Sequence, residues 1–469
     1  MNDRFKKKLA LEQDPKLRIK NFAEVTLGYD KAAAIKEASR CIQCKKPQCV
    51  NGCPARVAIP EFIKLITEND LPAAYKKIQE AHMFPSVCGR VCPQETQCEG
   101  NCILNKKNAA IEIGKLEKFV GDWAHAHENK KTAENKITPT QNIVKKIAVV
   151  GSGPASLVAA SELAHAGFNV TIFEALHEIG GILMCGIPEF RLPKKIVKKE
   201  INKLEKLNIK IIKNFVVGKT ATIDELLEKY AAVFIGTGAG LPILMSIPGE
   251  NSLGVYSANE YLTRINLMKA YLPNARAPIT KSKVVVTIGG GNVAMDAART
   301  ARRLGADRSI IIYRRSEEEI PARHEEIRHA KEEGIEFKLL CAPIEIFADN
   351  EGHVYNLKCI HMELGAPDES GRRQPTPIVN SEFTIECQII IVAIGSRPNP
   401  LIQNTTPDII STKYGTIEID PNTGRTSKKF VYAGGDVVSG SATVILAMRA
   451  GKNAAKAIIE DLASIHDLS

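Results

Sequence analysis

The chain has few aromatic residues and lacks any long apolar run. Aromatic side chains make up 5% of its 469 residues. No apolar run approaches the roughly 18 residues that cross a bilayer, so we expect no membrane span. The sequence also has no zinc-finger or RNA-binding pattern and no stretch that interleaves basic with aromatic residues. We therefore expect no nucleic-acid binding, although the net charge is +10.

An apolar signal segment is also missing, since the first residues, Met1 to Arg4, are polar or charged. This favours a cytoplasmic location, where thiols stay reduced and disulfides are rare. Eight of the twelve cysteines nevertheless lie within about sixty residues, in two runs of four. The first run is Cys41-x2-Cys44-x4-Cys49-x3-Cys53-Pro54. The second is Cys88-x3-Cys92-Pro93-x4-Cys98-x3-Cys102.

Eight thiols this close together point to a metal site. Zinc sites usually pair two C-x2-C units, and only Cys41 and Cys44 have that spacing. A dense run of four cysteines ending in x3-Cys-Pro is typical of bacterial ferredoxins, where the fourth cysteine binds the other cluster. The pattern favours two iron–sulfur clusters, with structural zinc and metal-free buried cysteines as alternatives.

The length predicts about three domains, because one hydrophobic core does not grow to this size. Residues 1–126 are predicted to form an α-helical domain that carries both cysteine runs. Residues 127–143 lack apolar periodicity, which predicts a linker. From residue 144 onwards the pattern changes to strand–glycine-loop–helix units, which are typical of a doubly wound, Rossmann-like α/β fold.

The first such unit feeds a buried strand into Gly151-Ser152-Gly153-Pro154-Ala155-Ser156 and then a helix. Glycine at the first two positions lets the backbone approach a pyrophosphate that lies at the helix N-terminus. The next strand delivers Glu174, which is placed to accept hydrogen bonds from a ribose 2′-hydroxyl, as FAD or NAD requires. The unit therefore predicts a dinucleotide site.

The second unit has the loop Gly289-Gly290-Gly291-Asn292-Val293-Ala294, and its next strand ends in Tyr313-Arg314-Arg315. Two guanidinium groups at this position can bind a 2′-phosphate, which predicts NADP rather than NAD. The alternative is that both arginines are solvated surface residues.

A strand near the C-terminus ends in Gly434-Gly435-Asp436 and precedes a helix predicted from about Ala442 to Ile459. Asp436 is placed to bond the ribityl hydroxyls of a flavin, and the helix N-terminus to face its pyrophosphate. The FAD-binding domain is then split into residues 144–250 and 396–469. The NADP(H)-binding domain, residues 251–395, is inserted between the two parts.

A flavin that takes hydride from NADPH must pass its electrons onward. The four remaining cysteines are isolated and form no C-x2-C or C-x4-C pair; they are Cys185, Cys341, Cys359 and Cys387. Buried packing residues are the simplest interpretation of them. The remaining route for the electrons to leave the flavin is through the N-terminal clusters.

Four segments together resemble the glutamate synthase small-subunit family: Cys-Gly-Arg-Val-Cys-Pro-Gln-Glu (88–95), Gly-Ile-Pro-Glu-Phe-Arg-Leu-Pro (186–193), Gly-Gly-Gly-Asn-Val-Ala-Met-Asp (289–296) and Ala-Gly-Gly-Asp (433–436). The family includes the β subunit of glutamate synthase, the large subunit of NADH-dependent ferredoxin:NADP oxidoreductase, the sulfide dehydrogenase FAD subunit and the N-terminal half of dihydropyrimidine dehydrogenase. The resemblance extends from about Asn21 to the C-terminus. It implies one FAD, one NADP(H) and two [4Fe–4S] clusters.

The resemblance also implies roles for individual residues. The flavin ring would be lined by Gly186, Ile187, Pro188 and Arg191. One cluster would be held by Cys41, Cys44, Cys49 and Cys102, and the other by Cys53, Cys92, Cys98 and Glu117, so that Cys88 is not a ligand. A solvent-facing helix residue is the alternative for Glu117.

The glycine loops and the resemblance together predict a set of residues that contact each nucleotide. For FAD they are Gly151, Gly153, Pro154, Ala155, Glu174, Gly181, Arg191, Gly238, Gly435, Asp436, Thr443 and Val444. For NADP they are Gly289, Gly291, Asn292, Val293, Arg314, Arg315 and Gly395.

We therefore expect an NADPH-dependent FAD and iron–sulfur oxidoreductase that passes electrons to a second subunit. That partner would be a glutamate synthase large subunit or a smaller flavin/iron–sulfur subunit. Two alternatives stay open: the FAD subunit of an electron-bifurcating enzyme or sulfide dehydrogenase, and a zinc-containing NADP(H) sensor without turnover. Position 2 is Asn2 rather than the cysteine nucleophile of an amidotransferase, so the chain alone is not expected to make glutamate.

Overall fold

The computed structural model describes residues 6–107, 109–127, 145–277, 279–367 and 371–464. Nearly all of the predicted linker, residues 127–143, lies outside these ranges. The described residues form a helical N-terminal region, two five-stranded parallel sheets and a three-stranded antiparallel sheet. No helix within these ranges has the length and apolar character that a membrane crossing requires.

The strands are β1 (Leu11–Glu12), β2 (Thr26–Gly28), β3 (Lys146–Val150), β4 (Asn169–Phe173), β5 (Lys210–Ile212), β6 (Ala232–Ile235), β7 (Leu241–Pro242), β8 (Val255–Ser257), β9 (Val284–Ile288), β10 (Arg308–Tyr313), β11 (Glu336–Leu339), β12 (Cys341–Ala348), β13 (Val354–Pro367), β14 (Arg373–Glu386), β15 (Ile389–Val392), β16 (Ser396–Arg397) and β17 (Val431–Ala433).

The α-helices are α1 (Pro15–Arg18), α2 (Lys31–Ala38), α3 (Gln48–Gly52), α4 (Ile59–Thr67), α5 (Leu71–Gln79), α6 (Pro85–Val91), α7 (Ile113–His127), α8 (Pro154–His165), α9 (Ile182–Cys185), α10 (Lys194–Glu205), α11 (Ile223–Leu227), α12 (Ala258–Asn266), α13 (Asn292–Arg303), α14 (His324–Glu332), α15 (Leu401–Thr405), α16 (Asp436–Ser439) and α17 (Val444–Ser464). Short 3-10 helices cover Gln94–Thr96, Ile103–Lys107 and Glu317–Glu319.

The N-terminal region is built from short helices that begin at proline or at an aspartate cap. α4, α5 and α6 each have proline in their first turn, where its missing N–H costs no hydrogen bond. The Asp70 carboxylate accepts from Ala73 N at the start of α5. Apolar faces of these helices, including Phe62, Ile63 and Leu116, form a core against which the cysteines pack. The loops that carry the thiols are therefore held on a rigid support.

The first parallel sheet has the strand order β17-β6-β3-β4-β5. Its central strands are buried and rich in valine and isoleucine, as expected where helices cover both faces. β17 comes from residues near the C-terminus and pairs with β6, so two distant stretches of chain build one sheet. The final helix, α17, begins at Val444 and is packed against α8.

The second parallel sheet has the order β11-β10-β9-β15-β8. The antiparallel sheet β12-β13-β14 lies beside it and contains two 14-residue strands. Strands β7 and β16 pair antiparallel, so the chain leaves the first sheet and returns to it at one place. The mixed α/β architecture with a helical N-terminal region confirms the predicted fold class. The domain limits at residues 126, 250 and 395 stay predictions.

Candidate functional site

The first set of cysteines surrounds one cavity at the edge of the N-terminal region. Cys41, Cys44, Cys49 and Cys102 all line this cavity, whose volume is about 90 Å³. Burial, together with the neighbouring thiols of Cys102 and Cys41, raises the pKa of Cys49 to about 12. Four thiols around one cavity fit a bound cationic centre, which would stabilise the thiolates.

The second set lies deeper. Burial, together with the nearby Glu117 and Cys92, raises the pKa of Cys53 to about 11. Cys98 is also buried, and its raised pKa reflects burial together with nearby carboxyl and thiol groups. Glu117 is 8% exposed on α7, so it is not the solvent-facing residue of the alternative interpretation. The predicted ligands Cys53, Cys92, Cys98 and Glu117 are therefore brought together.

Cys88 lies in the same place. Its thiol is buried and lies beside Cys92, and ligand atoms of His82, Cys88 and Glu117 all lie within 4.8 Å of one another. His82 Nε2 is 2.9 Å from Glu117 Oε1, but this buried oxygen accepts no hydrogen bond from the residues that the structure describes. A buried acceptor of this kind fits a metal ligand. Both candidates for the fourth ligand are thus present, and the choice of Glu117 over Cys88 stays a prediction.

The first glycine turn leads from β3 to α8. Gly151 has φ +92°, and a Cβ there would lie 2.6 Å from the carbonyl oxygen of Gly236. At Gly153 and Gly238 a Cβ would meet no atom within 4 Å, so the turn opens onto free space. α8 begins at Pro154 without a side-chain cap, and its first N–H groups face that space. A cradle without side chains at a helix N-terminus fits a pyrophosphate.

Two carboxylates lie at the ends of this cradle. Glu174, after β4, accepts hydrogen bonds from Ser152 Oγ and from Leu176 N, the latter at 2.7 Å. Asp436 follows β17, and burial raises its pKa, while Ala442 N donates to its Oδ1 at 3.2 Å. The remaining predicted FAD contacts lie nearby. A Cβ at Gly181 would lie 2.9 Å from Gly153 Cα, and one at Gly435 would lie 3.0 Å from Ala155 Cβ. Thr443 and Val444 are at the start of α17.

The segment after α9, which carries Gly186, Ile187 and Pro188, is held by a lysine that sequence reasoning missed. Lys194 Nζ donates to the carbonyl oxygens of Leu183 at 2.9 Å, of Leu192 at 3.2 Å and of Ile187. Burial lowers the pKa of Lys194 to about 8. The only available signal was its position directly after the 186–193 motif.

Arg191 was expected at the flavin ring. In the structure it is buried and its Nη1 lies 2.6 Å from Asp296 Oδ2 on α13, while its Nε lies 3.0 Å from Glu326 Oε1 on α14. Burial raises the pKa of Asp296 to about 6, although the Arg191 guanidinium opposes that shift. Asp296 and Glu326 were not predicted as partners, because nothing local in the sequence links them to Arg191.

The second glycine turn leads from β9 to α13. Gly289 has φ +137°, and a Cβ there would lie 2.3 Å from the carbonyl oxygen of Ala393. Gly291 faces open space, and α13 begins at Asn292 without a side-chain cap. Val293 is exposed at this entrance, and Gly395, with φ +117°, lies in the loop after β15. The geometry repeats that of the first turn and fits a second pyrophosphate.

The two arginines after β10 differ in environment. Arg314 is exposed, whereas Arg315 is 5% exposed and its Nε donates to the carbonyl oxygen of Arg373 at 2.7 Å. Arg373 begins β14, and its guanidinium also pairs with Glu319 and, at 2.9 Å, with Glu318. The antiparallel sheet therefore brings a third arginine to the end of β10. In the sequence this residue belongs to a second Arg-Arg pair, at 372–373, which lies outside the predicted nucleotide-binding motifs.

Two families of known proteins match separate parts of the chain. Residues 18–129 match the family described as dihydropyrimidine dehydrogenase domain II, 4Fe-4S cluster. Residues 145–451 match the pyridine nucleotide-disulphide oxidoreductase family.

Among curated proteins, the small chain of the NADPH-dependent glutamate synthase of Azospirillum brasilense is 35% identical, over 94% of this chain and 92% of that protein. The Escherichia coli small chain is 33% identical, over 95% and 94% respectively. The β subunit of an NADPH-Fe(3+) oxidoreductase of Geobacter sulfurreducens is 33% identical, over 94% of this chain and 67% of that one.

Solved structures share the fold at lower identity. FprA of Mycobacterium tuberculosis in complex with NADPH has a TM-score of 0.59 at 21% identity, covering 69% of this chain and 86% of that chain. T. acidophilum thioredoxin reductase has a TM-score of 0.52 at 22% identity, covering 68% and 99%.

These matches confirm an oxidoreductase whose cofactors are FAD, NADP(H) and [4Fe–4S] clusters. They do not favour the zinc-containing sensor or the electron-bifurcating alternative. With an iron–sulfur region before two dinucleotide folds and more than nine-tenths of its length aligned, the chain belongs to the glutamate synthase small-chain family of pyridine nucleotide-disulphide oxidoreductases.

Proposed function

We propose that this chain oxidises NADPH at the flavin and delivers the electrons, one at a time, through two [4Fe–4S] clusters to a second protein subunit. The main support for this proposal is the contact between the second run of cysteines, residues 88–102, and the flavin fold. Cys88 Sγ lies 3.8 Å from Met448 Sδ of α17, and Cys88 and Cys92 share a core with Ala155 and Val158 of α8. The deeper cluster site thus adjoins the two helices that frame the first glycine turn.

When bound, FAD supplies the change from two-electron to one-electron chemistry. The protein's residues position it. The α8 N-terminus and Gly153 would hold the pyrophosphate, Glu174 the ribose and Asp436 the ribityl chain. The Lys194 ammonium orders the 186–188 segment that would lie against the ring. We also propose the domain limits 1–126, 144–250 with 396–469, and 251–395.

Arg314 and Arg315 are proposed to set the preference for NADPH, with Arg373 as a third contributor. Arg314 is exposed and available to the 2′-phosphate, and Arg315 ties its loop to the backbone of Arg373. Arg373 also pairs with Glu318 and Glu319 and so offsets part of the repulsion that these two carboxylates would exert on a phosphate.

The partner is proposed to be a glutamate synthase large subunit or another electron-accepting subunit, because relatives are named as the small chain or the β subunit of larger enzymes. We further propose a cytoplasmic location. All twelve cysteines are free in the structure, which suits a reducing compartment.

The test is anaerobic titration of the purified chain with NADPH. The flavin absorbance should bleach, a one-electron dye should then be reduced, and no glutamate should form from glutamine and 2-oxoglutarate without a second subunit. Bleaching by NADH but not NADPH would contradict the cofactor assignment. Robust glutamate formation by the isolated chain would show that an amidotransferase site had been overlooked.

A further inference from the structure

The first cysteine set lies directly under an exposed surface with an apolar centre. Ile42 and Ile103 are 40% and 44% exposed, and both line the cavity that contains the four thiols. Lys45, Lys46 and Lys106 are exposed next to them in the chain. We call these five residues the cluster face.

The charge of the cluster face is of one sign. The two segments that form it, residues 38–60 and 100–111, contain six Lys or Arg residues and no Asp or Glu, and of these six Arg40 is buried and pairs with Glu37. Lys45, Lys46 and Lys106 form no ion pair within the part of the chain that the structure describes. On the adjacent helices the pattern differs, since Lys64 and Lys77 pair with Glu68 and Glu80. The positive charge of the cluster face therefore has no internal counterpart.

The position of the cluster face matters for electron transfer. In the second cysteine set Cys92 and Cys98 are buried, and Cys92 packs in the core of the flavin fold, whereas every cysteine of the first set is partly exposed. If electrons leave the flavin through the second set and then the first, as proposed above, they reach the protein surface here. A partner that binds elsewhere would leave its redox centre farther from the first cluster.

We propose that the cluster face is the docking site of the electron-accepting subunit, and that the partner presents a carboxylate-rich surface around an apolar centre. This inference rests on the proposed function. An apolar centre with a charged rim is the usual anatomy of a protein interface, and charge complementarity accelerates and orients docking. A second copy of this chain does not suit the site, because two positive rims would repel each other.

The probe is a reduced, acidic plant-type [2Fe–2S] ferredoxin, which drives the reaction backwards through the same docked surface. Two reduced ferredoxins each give one electron, and with one proton these convert NADP⁺ into NADPH. Reduced methyl viologen, a small cation, delivers the same two electrons without needing a negative protein surface. The appearance of NADPH is followed for both donors.

The variant is Lys45→Glu/Lys46→Glu/Lys106→Glu. Its matched control is Lys210→Glu/Lys213→Glu/Lys219→Glu, which reverses three exposed, unpaired lysines on and after the edge strand β5. The first variant should raise the KM for ferredoxin by roughly tenfold or more and leave the viologen rate and iron content unchanged, whereas the control should match the wild type. In the wild type, raising the salt from about 0.05 to 0.5 M should weaken ferredoxin binding and not the viologen reaction.

Ile103→Ser tests the apolar centre, and the KM for ferredoxin should rise relative to the viologen rate of the same preparation, which reports any change in the cluster itself. Equal ferredoxin kinetics in both lysine variants, or no effect of salt, would overturn the docking proposal. Dimerisation of the wild type that is lost in Ile103→Ser would assign the face to a second copy instead. Failure of NADPH to reduce the wild-type flavin would count against the proposed function and not against the docking site alone.

Discussion

Arg191 Nη1 lies 2.6 Å from Asp296 Oδ2, and this buried ion pair joins the 186–193 segment to α13, the helix that follows β9 of the second parallel sheet. Glu326 forms ion pairs with Arg191 and Arg299. Arg299 also pairs with Glu333, which in turn pairs with Arg303 and Arg18. A buried charge without its partner is strongly destabilising, so the completed network selects one orientation of the NADP fold relative to the flavin segment.

Asp296→Asn should therefore lower the free energy of unfolding by about 3 kcal/mol, because it removes one of the two carboxylates that face Arg191. NADPH should also reduce the flavin more slowly, since the two nucleotide sites lose their fixed separation. Urea unfolding and stopped-flow absorbance measure the two effects. Asp307→Asn, at an exposed aspartate beyond α13, is the control and should change neither.

Neutralising the arginines after β10 should discriminate between the nucleotides. Arg314→Ala and Arg373→Ala should each raise the KM for NADPH by about 10- to 150-fold, the equivalent of 1.5–3 kcal/mol for a lost charge-assisted contact, and change that for NADH little. Replacing both Arg314 and Arg315 should have a still larger effect on NADPH. Arg308→Ala, at the opposite end of β10, is the control. Equal losses for both nucleotides would refute the 2′-phosphate assignment.

Iron analysis should separate the two candidates for the last ligand of the second cluster. Cys88→Ser should retain full iron content and activity. Glu117→Ala should alter one cluster's EPR signal and slow electron transfer out of the flavin, because a carboxylate is a harder ligand than a thiolate and tunes the potential. Loss of about four irons in Cys88→Ser would reverse the assignment. Cys359→Ser, buried in the second sheet's core, serves as control.

The pKa of Lys194 predicts a dependence of stability on pH. Burial lowers this pKa from 10.5 to about 8, so between these values the unfolded chain binds more protons than the folded one. The contribution of Lys194 to the free energy of unfolding therefore increases from pH 8 to pH 10.5, by at most about 1.4 kcal/mol per unit. Urea unfolding at several pH values should show wild type gaining on Lys194→Met over this range. The exposed neighbour provides the control Lys195→Met, which should run parallel to wild type.

The two glycine turns could be predicted because their signals are local. A buried strand, glycines where the backbone turns, and a helix without a side-chain cap all lie within a dozen residues of Gly151 and of Gly289. The last helix was also predicted, although it begins at Val444 rather than near Ala442 and extends to Ser464. Helix ends depend on capping contacts and are harder to place.

Short stretches of chain are enough to indicate the class of chemistry. They contain the cysteine spacing, the two glycine turns, Glu174 and the Arg314–Arg315 pair, and side-chain type with local backbone geometry is enough to recognise each of these. How distant stretches meet is visible only in the folded structure. It brought Cys102 to Cys41, Arg373 to Arg315, and Asp296 to Arg191. Such pairs are separated by up to about a hundred residues, and their contact depends on how helices and sheets pack, which no local pattern encodes.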